Sequence, residues 1–243
     1  MKDRKKARLE KAVGIAVFAT LALSAVYSLL GAISASGAGP RLVIESGKTR
    51  GDYLLMLVEC LLGILVMFLP SMLEKRLRIA IPGGMYLVFV LFLYAGIYLG
   101  EVRSFYYRFA NWDTVLHAFS GVMLGALGFS VVSLLNDSEK VAVSLSPLFV
   151  ALFAFCFAVA LGVVWEIYEF GVDGLLGLNM QKFATEGGAP LAGRAALVDT
   201  MSDLIVDSLA AFAVSALGYA SLRLKTGWLE RIEIRRKGAR REK

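Results

Sequence analysis

The chain has 243 residues, 58% of them hydrophobic and only 19% charged, with a mean hydropathy of +0.67. This composition excludes an ordinary soluble globular domain and places the chain in the polytopic membrane class. The net charge of +6 and pI near 9.3 do not indicate a nucleic-acid partner, because the basic residues concentrate at the termini and beside apolar runs, as membrane topology signals do.

Six apolar stretches are each roughly 17 to 25 residues long, enough to cross about 30 Å of hydrocarbon as helix. In chain order they run from Ala12 to Ser34, Tyr53 to Leu69, Gly84 to Leu99, Asp113 to Leu135, Pro147 to Val172 and Val198 to Leu222. The third is short, and Gly100, Glu101 and Val102 can extend it. Pro70, Pro82 and Pro147 fall at segment edges, where a missing N–H does least damage. Cys60 and Cys156 sit inside different apolar runs as small hydrophobes, so no disulfide framework is expected. The expected fold is all-α, a polytopic bundle of six transmembrane helices. A basic N-terminus over 1–11 and a basic tail over 223–243 flank the membrane domain at 12–222.

Most of the 26 lysines and arginines fall on the side that carries both termini. Only Arg41, Lys48, Arg50, Arg103, Arg108, Lys182 and Arg194 fall on the other. The positive-inside rule therefore predicts a cytoplasmic-membrane protein with both termini in the cytoplasm, although the loop Asn136 to Ser146 is nearly neutral. The first stretch precedes Ser34-Ala35-Ser36-Gly37-Ala38, small residues like those at a signal-peptide cleavage site. Its apolar length of about 20 residues exceeds an h-region of about 7 to 15, so a retained helix is expected. Trp228, Leu229, Ile232 and Ile234 lie among basic residues in the tail. That tail is expected to act as a topology anchor, with adsorption to the anionic inner leaflet as the alternative.

Carboxylates at membrane depth are expensive unless paired, protonated or cation-bound, which makes them candidates for function. Nine lie in or at the ends of the apolar stretches: Glu59, Glu101, Asp113, Glu166, Glu169, Asp173, Asp199, Asp203 and Asp207. The single histidine, His117, joins them. Asp113 and His117 are four residues apart and share a helical face, as do Asp199, Asp203 and Asp207 at successive four-residue steps. With both termini inside, all of these lie toward the outer face. His117 and Asp203 are then about 6 Å deep, Glu59 about 9 Å and Asp207 about 12 Å.

Crowded carboxylates must share protons, pair with cations or bind a divalent metal ion. Carboxylate oxygens with one imidazole and no thiolates suit Zn, Mn, Mg or Fe. The expected metal ligands are Asp113, His117, Glu166, Glu169, Asp199, Asp203 and Asp207, with Glu166 and His117 as catalytic groups. Structural readings stand beside these. Asp113 and Asp199 each open a stretch and serve equally as helix N-caps. Glu101 is expected to pair with Arg103 or Arg108, Asp173 to be a helix-end or loop residue, and Glu59 is either a site residue or a protonated acid bonded to a carbonyl. Gly121, Gly125, Gly128, Gly162, Ala210, Ala211 and Ala213 allow close helix approach. The outer segment from Gly174 to Leu197, with Gly187-Gly188-Ala189-Pro190, is an ordinary loop or a cover. From it, Lys182 or Arg194 can reach an anionic headgroup.

Asp113-x-x-x-His117 followed by Gly121, then Trp165-Glu166-Ile167-Tyr168-Glu169-Phe170, then Asp199-Thr200-x-x-Asp203, resembles the YjdF-like family of bacterial inner-membrane proteins, a domain of unknown function. The resemblance covers the last four helices and implies their grouping rather than an activity. The family's Leu-Gly-Thr-Gln-Gly-Asp segment is missing from Gly187 to Val198, and Leu176-Gly177-Leu178-Asn179 is its nearest counterpart. A looser likeness links the Asp-x-x-x-His helix and the late aspartate helix to VanZ-like proteins.

The leading expectation is a metal-dependent hydrolase or transferase acting on a lipid or lipid-linked substrate of the cell envelope. Membrane lipids would be its surroundings and Glu166 its proton carrier. A cation- or proton-coupled transporter and a nonenzymatic accessory or immunity-type membrane protein are the alternatives. Neither a Gly-x-Ser-x-Gly elbow nor a His-Glu-x-x-His helix occurs, and oligomeric state is not legible.

Overall fold

The computed structural model describes residues 2–36, 48–136, 145–185, 189–229 and 233–237. The small residues Gly37-Ala38, residues 137–144 of the near-neutral loop, Gly187-Gly188, Ile232 and the tail beyond Lys237 lie outside the described residues. Helices α1 (Lys2–Ala35), α2 (Arg50–Met67), α3 (Leu69–Arg76), α4 (Gly83–Leu93), α5 (Phe105–Arg108), α6 (Trp112–Asn136), α7 (Pro147–Leu176) and α8 (Arg194–Leu224) make up nearly all of it. A π-helical segment, Tyr94–Val102, continues α4. Among the described residues, six helices are long and apolar enough to cross a membrane, at Arg4–Ala35, Arg50–Arg76, Gly83–Val102, Trp112–Leu135, Pro147–Leu176 and Arg194–Leu224. The all-α six-helix expectation holds.

The helix ends differ from the hydropathy limits for identifiable reasons. α1 begins ten residues before Ala12, because Lys, Arg, Glu, Leu and Ala are good helix formers and carry the helix through the basic stretch. α2 starts at a reciprocal cap: Thr49 Oγ1 accepts from Asp52 N at 3.2 Å, and Asp52 Oδ2 accepts from Thr49 N at 2.6 Å. The run breaks at Phe68, two residues before Pro70. Pro147 occupies the first position of α7, behind Ser146, whose Oγ accepts from Phe149 N at 3.2 Å. The helix closes where Gly177, at φ +65, donates to Asp173 O at 2.8 Å.

The third span reaches full length as expected. Its last nine residues are π-helical, so each turn carries one more residue than an α-helical turn would.

Two compact units divide the chain. The first comprises Met1–Phe68, Phe89–Leu116 and Trp165–Ser202. Within it α1 packs along α2, with Tyr53 fully buried against Ala32 and Met56 and its ring filling the space a Cβ on Gly31 would need. Ile97 of the π-helical segment likewise seats on Gly63 of α2. The second unit comprises Leu69–Val88, His117–Val164 and Asp203–Lys243. Here small residues let helices approach closely, as the sequence predicts: Gly121 meets Asp207 and Ala210, Gly125 meets Val214, Gly128 meets Ala154, and Gly218 receives the ring of Phe129.

The strands are β1 (Ile79–Ala80) and β2 (Arg235–Arg236), paired antiparallel, Ile79 opposite Arg236 and Ala80 opposite Arg235. Tail residue Ile234 is buried and its N–H donates to Ser130 Oγ at 3.4 Å. The tail is therefore tied into the fold at this point.

Candidate functional site

In the second unit the face of α6 that carries His117 meets the Asp203 and Asp207 face of α8. All three side chains are buried, at 9%, 4% and 4% exposure. Nδ1 of His117 lies 3.3 Å from Oδ2 of Asp207, whose other oxygen accepts from Ser120 Oγ at 2.9 Å. A carboxylate can only accept, so this contact calls for an imidazole proton on Nδ1. Nε2 faces Oδ1 of Asp203 at 3.9 Å. With the imidazole neutral, Nε2 and Asp203 Oδ1 so arranged, inside an apolar span, suit a shared cation, with the Asp207–His117 contact in the orienting role that carboxylates play behind metal-bound histidines.

α6 itself adds Asp113. It lies one turn before His117 and so shares its side of the helix. Asp113 is the second residue of its helix and Asp199 lies well inside α8, which starts at Arg194 after Gly193 at φ +58. The N-cap readings of these two aspartates are thereby overturned: hydropathy marked where the apolar run starts, whereas Arg194-Ala195-Ala196-Leu197 already favours helix.

Asp207 rests on Gly162 of α7, where a Cβ would come within 2.7 Å of Oδ2. Glu166, 5% exposed, follows Gly162 by one turn and so shares its side of the helix.

Asp113 and Glu166 fall in the first unit, as do Glu59, Glu101, Glu169, Asp173 and Asp199. Glu101 is buried, and its Oε2 pairs with Lys182 Nζ at 3.3 Å. The expected partners Arg103 and Arg108 are exposed instead. The π-helical register brings Glu101 inward, while the segment after α7 folds back with Leu178 and Met180 buried against Leu55. Lys182 lies 4.7 Å from the Tyr106 ring centre and 5.5 Å from that of Tyr107, and also donates to Asn179 O at 3.4 Å. It is thus committed within the fold rather than presented to a headgroup.

Burial alone pulls the Lys182 ammonium down, but Glu101 foremost, followed by Tyr107, Glu59 and Asp113, holds its pKa above the usual lysine range. Burial above all pushes the Tyr106 phenol up, reinforced by Glu59, Asp113, Glu101 and Glu169. Its ring packs where Gly100 has no Cβ. Asp173 lies in the last turn of α7, its carboxylate accepting from Met180 N at 2.7 Å and Gln181 N at 3.0 Å.

Three participants escaped the sequence reading. Ser120 was detectable, since three residues after His117 puts it on the same face. Gly162 was noted for packing, but its role as the floor beneath Asp207 depends on which residue crosses it. Lys182 carried no local signal, because its partner is 81 residues away.

A family model described as "Predicted membrane protein (DUF2238)" matches residues 34–224, from the end of α1 to the end of α8. A protein of Thermotoga maritima bearing the name "Uncharacterized protein" is 29% identical over 163 residues, which span 66% of this chain and 73% of the relative. No solved structure matches. The family match covers well over half of the chain, which therefore belongs to the DUF2238 family of membrane proteins.

Proposed function

We propose that this membrane protein binds a divalent metal ion through Nε2 of His117 and the carboxylate of Asp203, with Asp113 offered as a further ligand by its place one helical turn before His117, and uses it in hydrolysis or group transfer on a lipid or lipid-linked envelope substrate. The observation that carries the reading is the 3.9 Å approach of Nε2 to Asp203 Oδ1, with the imidazole oriented from behind by Asp207. One imidazole with carboxylates fits Zn, Mn or Fe most readily, and Mg through its carboxylates. A metal so held lowers the pKa of water or polarises a phosphoryl or acyl oxygen. Asp207 and Ser120 orient the imidazole, and Glu166 moves protons. Glu169, near the C-terminus of α7, and Asp199, near the N-terminus of α8, are further polar groups. Charge asymmetry supports cytoplasmic termini and an outward-facing site in the cytoplasmic membrane, and the YjdF-like motif order supports the grouping of α6, α7 and α8.

Cation- or proton-coupled transport is the second reading, favoured by the buried Glu101–Lys182 pair and by Glu59 in α2. Metal content of the purified protein is the first test. The wild type is expected to retain a stoichiometric divalent metal that His117→Ala and Asp203→Asn lose while keeping their helical spectrum. Equal metal in all three would refute the site. With the metal established, lipid turnover abolished by Glu166→Gln supports catalysis. Substrate-linked cation flux in liposomes without lipid turnover would replace it with transport.

A further inference from the structure

The pairing of β1 with β2 gathers basic residues from two distant parts of the chain onto one exposed face of the second unit. The end of α3 and the turn after it supply Lys75, Arg76 and Arg78, all exposed, and the tail supplies Arg236 and Lys237, also exposed, with Arg235 half-buried. The ladder is extended by Lys237 N donating to Arg78 O at 2.7 Å. It is anchored from beneath by the buried Ile79 and Ile234.

Among the described residues, Glu74 and Glu233 interleave. Glu74 lies 3.9 Å from Lys237 and spends its other oxygen on Ile81 N at 2.7 Å, and Glu233 lies 3.8 Å from Arg235. The face therefore keeps a clear positive excess. It stands where the second and sixth spans end, at Arg76 and Leu224, which is headgroup level. Exposed Met72 (55%) and Leu77 (57%) flank the charges. Apolar side chains beside lysine and arginine match the boundary between headgroups and acyl chains. A nucleic acid or an acidic protein would meet the charges but leave those apolar groups unmatched.

We propose that this face is a docking surface for anionic phospholipid headgroups of the adjoining leaflet. The tail, held by β2, completes the surface instead of trailing as a simple topology signal. Each basic residue near an anionic surface contributes about fivefold in affinity, so removing three should cost on the order of a hundredfold.

The test is native mass spectrometry of the full chain in detergent, titrated with phosphatidylglycerol or phosphatidylcholine. The wild type is expected to hold phosphatidylglycerol selectively, with affinity falling as salt rises. The Arg78→Gln/Arg235→Gln/Arg236→Gln variant should lose that selectivity about a hundredfold. The same three positions changed to Lys preserve charge and should bind as the wild type does. Equal retention of the two lipids, unchanged binding in the Gln variant, or loss in the Lys variant would overturn the proposal. So would an oligonucleotide bound more tightly than phosphatidylglycerol and lost in the Gln variant.

Discussion

Gly162→Ala and Gly171→Ala make the same substitution in the same helix, yet opposite outcomes are expected. At Gly171 a Cβ meets nothing within 4 Å. Alanine there should stabilise α7 by up to about 1 kcal/mol through helix propensity. At Gly162 the added carbon would lie 2.7 Å from Oδ2 and 3.4 Å from Cγ of Asp207, well inside van der Waals contact. The carboxylate cannot yield freely, because Oδ1 is bonded to Ser120 and Oδ2 to His117. Either the helices separate, at an overpacking cost of about 1–3 kcal/mol, or Asp207 rotates and releases the imidazole. The second route should lower metal affinity by about 10- to 100-fold, the usual effect of losing a group that orients a metal ligand. Thermal unfolding in one detergent, with and without added Zn or Mn, separates the routes: a lower midpoint without metal reports packing, and a reduced metal-induced rise reports loss of orientation. If Gly162→Ala matches Gly171→Ala in both measurements, the contact between Gly162 and Asp207 does not shape the site as described.

Other perturbations follow from the same contacts. Asp207→Asn should keep the helix packing but weaken metal binding by about 10- to 100-fold, and competition with a chelating dye measures this. Lys182→Gln strands the buried Glu101 carboxylate, and breaking such a pair should cost about 3–5 kcal/mol. Lys182→Met with Glu101→Met should recover most of that loss in chemical unfolding, whereas Arg103→Gln and Arg108→Gln, at exposed positions, should change stability by less than about 0.5 kcal/mol. The Lys182 pKa is raised in the folded chain. Its contribution is therefore fully present below the unfolded lysine value of about 10.4 and lost as pH rises through the folded one. The unfolding difference between wild type and the double-methionine variant should hold steady from pH 7 to 10 and shrink only in stronger alkali. A difference that shrinks between pH 7 and 9 would contradict this.

What the sequence determines alone is whatever depends on local spacing. Apolar length reveals all six spans, because a helix must satisfy its own backbone across hydrocarbon. Four-residue steps likewise reveal that Asp113 faces with His117 and Asp203 with Asp207, because helical periodicity fixes which side chains align. Pairing between segments distant in the chain is decided only in three dimensions. Glu101 turns from Arg103 and Arg108 to Lys182 because the end of the third span is π-helical and the segment after α7 folds back on Leu55. Asp207 meets Nδ1 of His117, while Asp203 faces Nε2, because α6 and α8 cross at Gly121. The basic tail joins β1 because Ile79 and Ile234 find burial there. Each of these outcomes depends on which surfaces meet, and a one-dimensional pattern carries no record of that.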